Sequence, residues 1–475
     1  MEKHREQKGS RLVFVLYPFQ GHINPMLQLA TIMYSKGFSI TIVHPQFNSP
    51  DPSKHPQFTF TPISDDLSQG KVSPADFSGA ISALNKNCEE PLKECIQKML
   101  KAEDTRDSIS CIIYDGLMYF AQSVADHLKL PGMSLRTSAA ATVLAFAVFR
   151  RRDEQGYISF LVTELQPLRL KDLPILRNQD VADLVLELRA NLSDSVKKSS
   201  ALIVNTMDFL EQNALKQIQG LFPTPIFTVG PFHKLAPIIF SSLLKEDTNC
   251  ISWLDRQAPK SVIYVSFGSL ASIDEKELLE TAWGLANSDQ PFLWVVRPGL
   301  VRGSKCAELL PKSFEERVEE RGCIVEWAPQ LEVLAHGAVG GFWSHCGWNS
   351  TLESICEGVP MLCRPFFGDQ NLNVRYVCDV WKVGLELENE LERGNIEKAV
   401  RTLMVNTEGE EMRKRAMHLK EKVNLSVREG GSCYNSMNEL ADQMLHIFNK
   451  VKGSTFFEIR VFRISVTSGE RVAQY

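Results

Sequence analysis

Residues 327–370 read WAPQLEVLAHGAVGGFWSHCGWNSTLESICEGVPMLCRPFFGDQ. An apolar run carrying Gly340-Gly341 leads through FWSH into CGWNSTLE, which opens a helix. A second apolar run, Pro360 to Cys363, then closes on Asp369-Gln370. Strand, turn, helix and strand are the repeating unit of doubly wound α/β folds. At such a turn the first N–H groups of the helix have no partners and sit at the positive end of its dipole, so the layout asks for an anion, a phosphate above all. His345, Asn349 and Ser350 add donors at the same turn. A local reading competes. Ser350-Thr351-Leu352-Glu353 matches the capping-box pattern S-x-x-E, in which Ser350 and Glu353 would only start the helix. Caps do not account for Trp327, Gln330, His345, Trp348, Asp369 and Gln370 at their spacings.

The same alternation extends in both directions. Near the start, Leu12 to Tyr17 is a continuous apolar run, as expected of a buried parallel strand. PFQGHINP follows, with Asn24 as N-cap and Pro25 at the first position of a helix running from Met26 to Lys36. Ser39 to Val43 is the next strand. His22 therefore falls in the loop at the carboxyl end of the first strand, beside a helix start, where ligands bind in open α/β sheets. The positive end of a helix disfavours the imidazolium and keeps the ring available as a base. An isolated surface histidine is the plainer reading. Asp115 follows another strand, Ser110 to Tyr114, and either caps the next helix or partners His22. Gly132 to Leu135 is a strand leading into Thr137. Strands at Ala201–Thr206 and Ile226–Val229 end the first half.

Residues 231–249 lack regular periodicity and divide the chain into 1–230 and 250–430. The second half repeats strand and helix from residue 250. After the strand Ser261–Ser266 comes Phe267-Gly268-Ser269, where Gly268 lets backbone approach a phosphate and Ser269 can donate to it. Strands at Phe292–Val296 and Gly322–Val325 precede the opening stretch. Helices are expected at Leu391–Met404, Met412–Val427 and Tyr434–Phe448. Every residue with chemistry to offer follows a predicted strand at its carboxyl end.

Composition narrows the function. A chain of 475 residues has room for two cores, and 44% hydrophobic with 23% charged residues is ordinary for a globular protein. A net charge of −5 argues against general nucleic-acid binding. The 11 cysteines are scattered, without C-x-x-C or zinc-finger spacing, which suits free thiols in a reducing compartment and predicts no metal centre. No apolar span of membrane length is present and the first residues lack a signal-peptide core, so a cytoplasmic location is expected.

Taken whole, residues 327–370 resemble the signature box of the plant family 1 UDP-sugar glycosyltransferases at its diagnostic positions and in its length. The resemblance covers nearly the whole chain to about residue 450. It implies the GT-B architecture, two facing Rossmann-like doubly wound domains with a cleft between them. The first domain (1–230) would bind the acceptor and the second (250–430) the UDP-sugar, with 431–450 a helix returning to the first. It implies that Trp327 stacks on the uracil beside Ala328, and that Gln330 and Glu353 bind the ribose. His345, Asn349, Ser350 and Ser269 would hold the diphosphate, and Thr137, Trp348, Asp369 and Gln370 would lie by the sugar. In such enzymes the histidine of the G-H-x-x-P loop, here His22, is the general base and Asp115 its activating partner. Gln370 implies UDP-glucose as donor co-substrate, with no further cofactor. HINPMLQLA and PMLCRPFFGDQ resemble group 76, which implies a small hydrophobic plant metabolite as acceptor, whether phenolic, hydroxy acid, benzoxazinoid, terpenoid or hormone. A β-glucoside made by a monomer is the expectation.

Two departures from the family stand out. The segment Gly156–Pro174 is shorter than in relatives, and the tail 451–475 is an extension expected to be disordered or isoform-specific. Rival classes fit less well. A hydrolase lacks the G-x-S-x-G elbow, and a dehydrogenase would carry G-x-G-x-x-G where Pro18 to His22 stands. A nucleotide-sugar binding protein without turnover has no need of a base.

Overall fold

The computed structural model describes residues 10–67, 77–102, 108–148, 168–169, 172, 179–236, 242, 244–302, 310–388, 390–447 and 449. Thirteen strands among them form two sheets. The first contains β1 (Ser10–Val15), β2 (Ser39–Pro45), β3 (Thr59–Ile63), β4 (Ser108–Asp115), β5 (Gly132–Arg136), β6 (Ala201–Val204) and β7 (Ile226–Thr228). The second contains β8 (Val262–Ser266), β9 (Phe292–Val295), β10 (Gly322–Val325), β11 (Val339–Ser344), β12 (Met361–Cys363) and β13 (Gly384–Glu386). Pairing is parallel throughout. Helices cover both faces, so the central strands are buried on two sides and read as unbroken apolar runs.

The sheet orders are β3-β2-β1-β4-β5-β6-β7 and β10-β9-β8-β11-β12-β13. In each, the order reverses beside the first strand, between β1 and β4 and again between β8 and β11. Crevices open at the carboxyl ends of such switch points. His22 follows β1 and Asp115 ends β4, while Ser269 follows β8 and His345 follows β11. The topology thus places both halves of the chemistry at crevices. This is the GT-B fold.

One apolar cluster joins the two units, with Val204 and Leu210 of the first packed into the same core as Val262, Trp348 and Leu372 of the second. Two indoles tie them further. The Trp348 Nε1–H donates to the Asn205 carbonyl at 2.8 Å, and the Trp381 Nε1–H to the Leu210 carbonyl at 3.0 Å. The helix at 432–447 returns to the first sheet, where Met437, Leu440, Ala441 and Met444 pack with Phe14, Ile23 and Met26. Each fully buried Met, Leu, Ile or Phe side chain among them contributes about 1.5–3 kcal/mol.

Three local readings change. The first helix spans Gln20–Ser35 with Phe19 at its N-cap, so it starts before Asn24 and contains Pro25. His22 therefore sits in the first helical turn rather than in a loop. The helix after β11 begins at Trp348 with Gly347 as N-cap, so Ser350 and Glu353 lie inside it and form no capping box. The helix expected at Met412 begins earlier, at Thr407. Most of the segment Gly156–Pro174 and the tail 451–475 lie outside the described residues. No helix among the described residues is long and apolar enough to cross a membrane.

Candidate active site

On the first side, β1 ends at Val15 and the chain turns through Tyr17 and Phe19 into the helix carrying His22. The His22 Nδ1 lies 2.8 Å from Asp115 Oδ2 and 2.9 Å from Thr137 Oγ1. A carboxylate only accepts, so Nδ1 carries the proton and donates it, and Nε2 keeps its lone pair. No described group hydrogen-bonds Nε2. Asp115 is 1% exposed, and its second oxygen accepts from the Leu117 N–H at 2.9 Å, which fixes the carboxylate from behind. The edge of Tyr17 meets the imidazole with centroids 4.9 Å apart. The ring is thus held in one tautomer and one orientation.

On the second side, the helix Trp348–Glu357 presents its open start at Gly347. His345 lies between two glycines. A Cβ at Gly268 would come within 2.6 Å of its ring and one at Gly347 within 2.5 Å, and Gly268 also holds φ +71°. Both positions need glycine, one for space and the other for space and backbone. Burial, with Arg297 nearby, pushes the His345 imidazole down to about 4, so the ring is neutral at pH 7 and offers one N–H.

Gln330 draws three side chains together. Its Nε2 donates to Glu353 Oε2 at 2.6 Å and to Ser350 Oγ at 2.9 Å, while its Oε1 accepts from the Tyr264 hydroxyl at 3.2 Å. Burial raises the Glu353 carboxyl to about 7, against the pull of the Gln330 amide. Gln370 Oε1 accepts from the N–H groups of Phe366 and Phe367, which leaves its amide nitrogen as the donor. Burial raises the Asp369 carboxyl above its usual range, opposed first by His22 and more weakly by Arg136.

A cleft of about 330 Å³ brings all fourteen sequence-predicted residues together. His22, Asp115, Thr137, Ser269, Trp327, Ala328, Gln330, His345, Trp348, Asn349, Ser350, Glu353, Asp369 and Gln370 all line it. Two of them also serve the junction. The Trp348 indole N–H is committed to Asn205, so Trp348 can face a sugar only through its ring or backbone. Asn349 Nδ2 donates to the Gly21 carbonyl at 2.6 Å. Pro25 explains that contact. It lacks the N–H that would bond the carbonyl four residues back, so the Gly21 oxygen is left for the other unit. Sequence reading missed Arg136 and Tyr264, which also line the cleft. A lone arginine ending the apolar run of β5 was the only signal for the first. Among the described residues no group of three or more His, Cys, Asp and Glu side chains is arranged to hold a metal ion.

Two doubly wound units, with an oriented His–Asp pair facing an open helix start across one cleft, define a GT-B glycosyltransferase. The family model described as UDP-glucoronosyl and UDP-glucosyl transferase matches residues 54–423, and the chain belongs to that family. It is 48% identical over 449 residues to UDP-glycosyltransferase 76B1 of Arabidopsis thaliana, covering 93% of this chain and 99% of that protein. Among solved structures, Os79 from O. sativa in complex with UDP superposes with a TM-score of 0.79 at 27% identity, over 91% of this chain and all (100%) of that one. Phytolacca americana UGT2, complexed with UDP-2fluoro-glucose and pterostilbene, gives 0.77 at 28% identity, over 92% and 100%. The protein is thus a glycosyltransferase that takes a UDP-sugar as co-substrate.

Proposed function

We propose that the enzyme is an inverting glucosyltransferase, moving glucose from UDP-glucose to a hydroxyl of a small, largely apolar acceptor. The observation that carries the reading is the 2.8 Å pairing of His22 Nδ1 with Asp115 on the wall opposite the open helix start. His22 Nε2 takes the hydroxyl proton as the acceptor oxygen attacks the anomeric carbon. The bond from that carbon to the diphosphate oxygen breaks, and UDP leaves with the electron pair. Asp115 stabilises the imidazolium that forms. The helix N–H groups, with Ser269, His345, Asn349 and Ser350, stabilise the charge growing on the diphosphate.

Trp327 stacks on the uracil with Ala328 alongside, and Gln330 and Glu353 take the ribose hydroxyls. Thr137, Trp348, Asp369 and Gln370 border the sugar. Binding of UDP-2fluoro-glucose by the Phytolacca enzyme supports glucose as the donor sugar, and its pterostilbene supports an aromatic hydroxyl as one acceptor type. Residues 1–230 then form the acceptor-binding domain and 250–430 the donor-binding one, joined by 231–249. Both walls come from one chain, so the monomer is the working unit. The ten described cysteines are free, which supports a cytoplasmic setting. The test is mass spectrometry after incubation with UDP-glucose and a panel of phenols, alcohols and acids. A hexose-shifted product is expected. Binding of UDP-glucose with no product from any acceptor would point to a binding protein instead.

A further inference from the structure

β5 ends in Arg136, whose side chain turns toward Gly116 and the helix Ala140–Val148. The residue is 5% exposed, and what remains open of it lines the cleft that holds His22. A guanidinium is always charged and carries five N–H donors. Buried charges are normally paired or hydrogen-bonded, because leaving them otherwise is costly. Among the described residues, no carboxylate comes within 4.0 Å of this guanidinium and none accepts a hydrogen bond from it. Asp115 and Asp369 act on it only through space, and Asp115 is already committed to His22 and to the Leu117 N–H.

The position is built. A Cβ at Gly116 would come within 2.7 Å of the Arg136 Cδ, so the glycine makes the room the side chain occupies. The guanidinium carbon lies 5.8 Å from the centroid of Phe146, a cation–π platform that holds the group in place without using its donors. Two more unpartnered groups stand at the same wall. The Ser138 and Thr142 hydroxyls are buried, have no hydrogen-bond partner and belong to residues that line the cleft. The start of the adjoining helix is not what they serve, since Glu211 already accepts from the Ala140 and Ala141 N–H groups at 2.9 Å. The same cleft is also lined by apolar Phe19, Leu117 and Phe146.

We propose that Arg136, with the hydroxyls of Ser138 and Thr142, forms an anion subsite for the acceptor, so that the preferred acceptors are hydroxy acids. Their carboxylate docks on Arg136 and their hydroxyl is left to face His22. The inference rests on the reading of the enzyme as a UDP-glucose-dependent transferase. It fixes which oxygen reacts. The carboxylate is held by the guanidinium, so the hydroxyl loses its proton to His22 and forms the bond to the anomeric carbon. UDP departs, and the product is a glucoside with its carboxylate still free. A carboxylate matches a guanidinium's fork through two parallel N–H···O bonds.

The experiment uses the full chain with UDP-glucose and 2-, 3- and 4-hydroxybenzoate, each against its methyl ester. At least one acid is expected to exceed its ester by about tenfold or more in kcat/KM, as when a charged hydrogen-bonding group is matched. Its glucoside should survive mild alkali, as a glucosyl ester would not. Arg136→Met should erase the preference by raising KM for the acid more than for its ester, and Arg136→Lys should restore part of it. UDP-glucose affinity measured by calorimetry reports that each variant is folded. Equal use of every acid and its ester overturns the subsite, as does an alkali-labile product or an equal loss on acid and ester in Arg136→Met. If neither acids nor esters react and UDP-glucose is not consumed, the donor reading itself fails and takes this inference with it. Ester turnover with indifference to charge removes the inference alone.

Discussion

The His22 corner of the first wall and the helix start of the second handle their polar groups in opposite ways. On the first wall His22, Asp115 and Thr137 are bonded to one another, and the second oxygen of Asp115 is spent on the Leu117 N–H. On the second wall the helix start at Trp348 is open, His345 is held neutral, and glycines at 268 and 347 keep side chains out of the space. The corner around His22 is organised before any ligand arrives, and the helix start opposite it is organised to be completed by one. The difference follows from the chemistry asked of each. A base must be held in one orientation and one tautomer, which needs internal partners. A diphosphate site must present unsatisfied donors, because any internal partner would compete with the ligand.

The contrast can be broken one wall at a time. The largest effect is expected from His22→Ala, which should lower kcat with an alcohol acceptor by about 10³-fold, within the range for loss of a general base, and leave calorimetric UDP-glucose affinity nearly unchanged. A parallel fall in affinity would show that the walls are not separable. Asp115→Asn should cost less, about 10²-fold in kcat at the low end of general-base effects, because the ring loses its charge partner while the amide oxygen can still accept from Nδ1 and Nε2 remains. A pre-steady-state rate measured with saturating donor would reveal it.

Gly347→Ala attacks the other wall. The new methyl would sit 2.5 Å from His345, so the ring must shift. UDP-glucose should bind about tenfold more weakly, with acceptor KM little altered, as isothermal titration and steady-state kinetics would show.

The smallest effect concerns protonation. Glu353 stands at about 7 in the free protein, and ribose hydroxyls donate best to its ionised form. Donor binding should lower that value and release a proton, so UDP-glucose affinity should rise a few-fold (~3-fold) from pH 6 to pH 8. Glu353→Gln should flatten the profile. Stability runs the other way. A carboxyl raised from 4.5 to about 7 on folding contributes stability that is present at low pH and lost as pH rises through about 7. The thermal midpoint of the free wild type should therefore fall across that range more steeply than that of the glutamine variant.

Much of this was legible from sequence because parallel strands buried on both faces are continuous apolar runs, and ligand residues in doubly wound folds follow their carboxyl ends. β1, β4 and β8 were placed to within about two residues on that ground. The pairing of His22 with Asp115 was different. It spans 93 positions, and no local pattern announces it, so only resemblance could suggest it. Asn24-Pro25 misled because it is a good helix start by local rules. The helix nonetheless begins at Gln20, carried by the burial of Ile23, Met26 and Leu27. The carbonyl that Pro25 leaves unbonded is taken by Asn349 from the other half of the chain. The S-x-x-E pattern of Ser350 and Glu353, the rival local reading, is matched by residues already inside the helix and turned toward Gln330. Arg136 could not be read at all, because its meaning lies in the absence of a partner, which only the packed structure shows.

The central claim is that a base on one wall drives a single displacement on a donor held by the other. The most direct test is the anomeric configuration of the first-formed glucoside, read by proton NMR before any equilibration. From α-linked UDP-glucose the account predicts the β-glucoside as the sole initial product. An α-glucoside would require two displacements or a retaining path, and would contradict it.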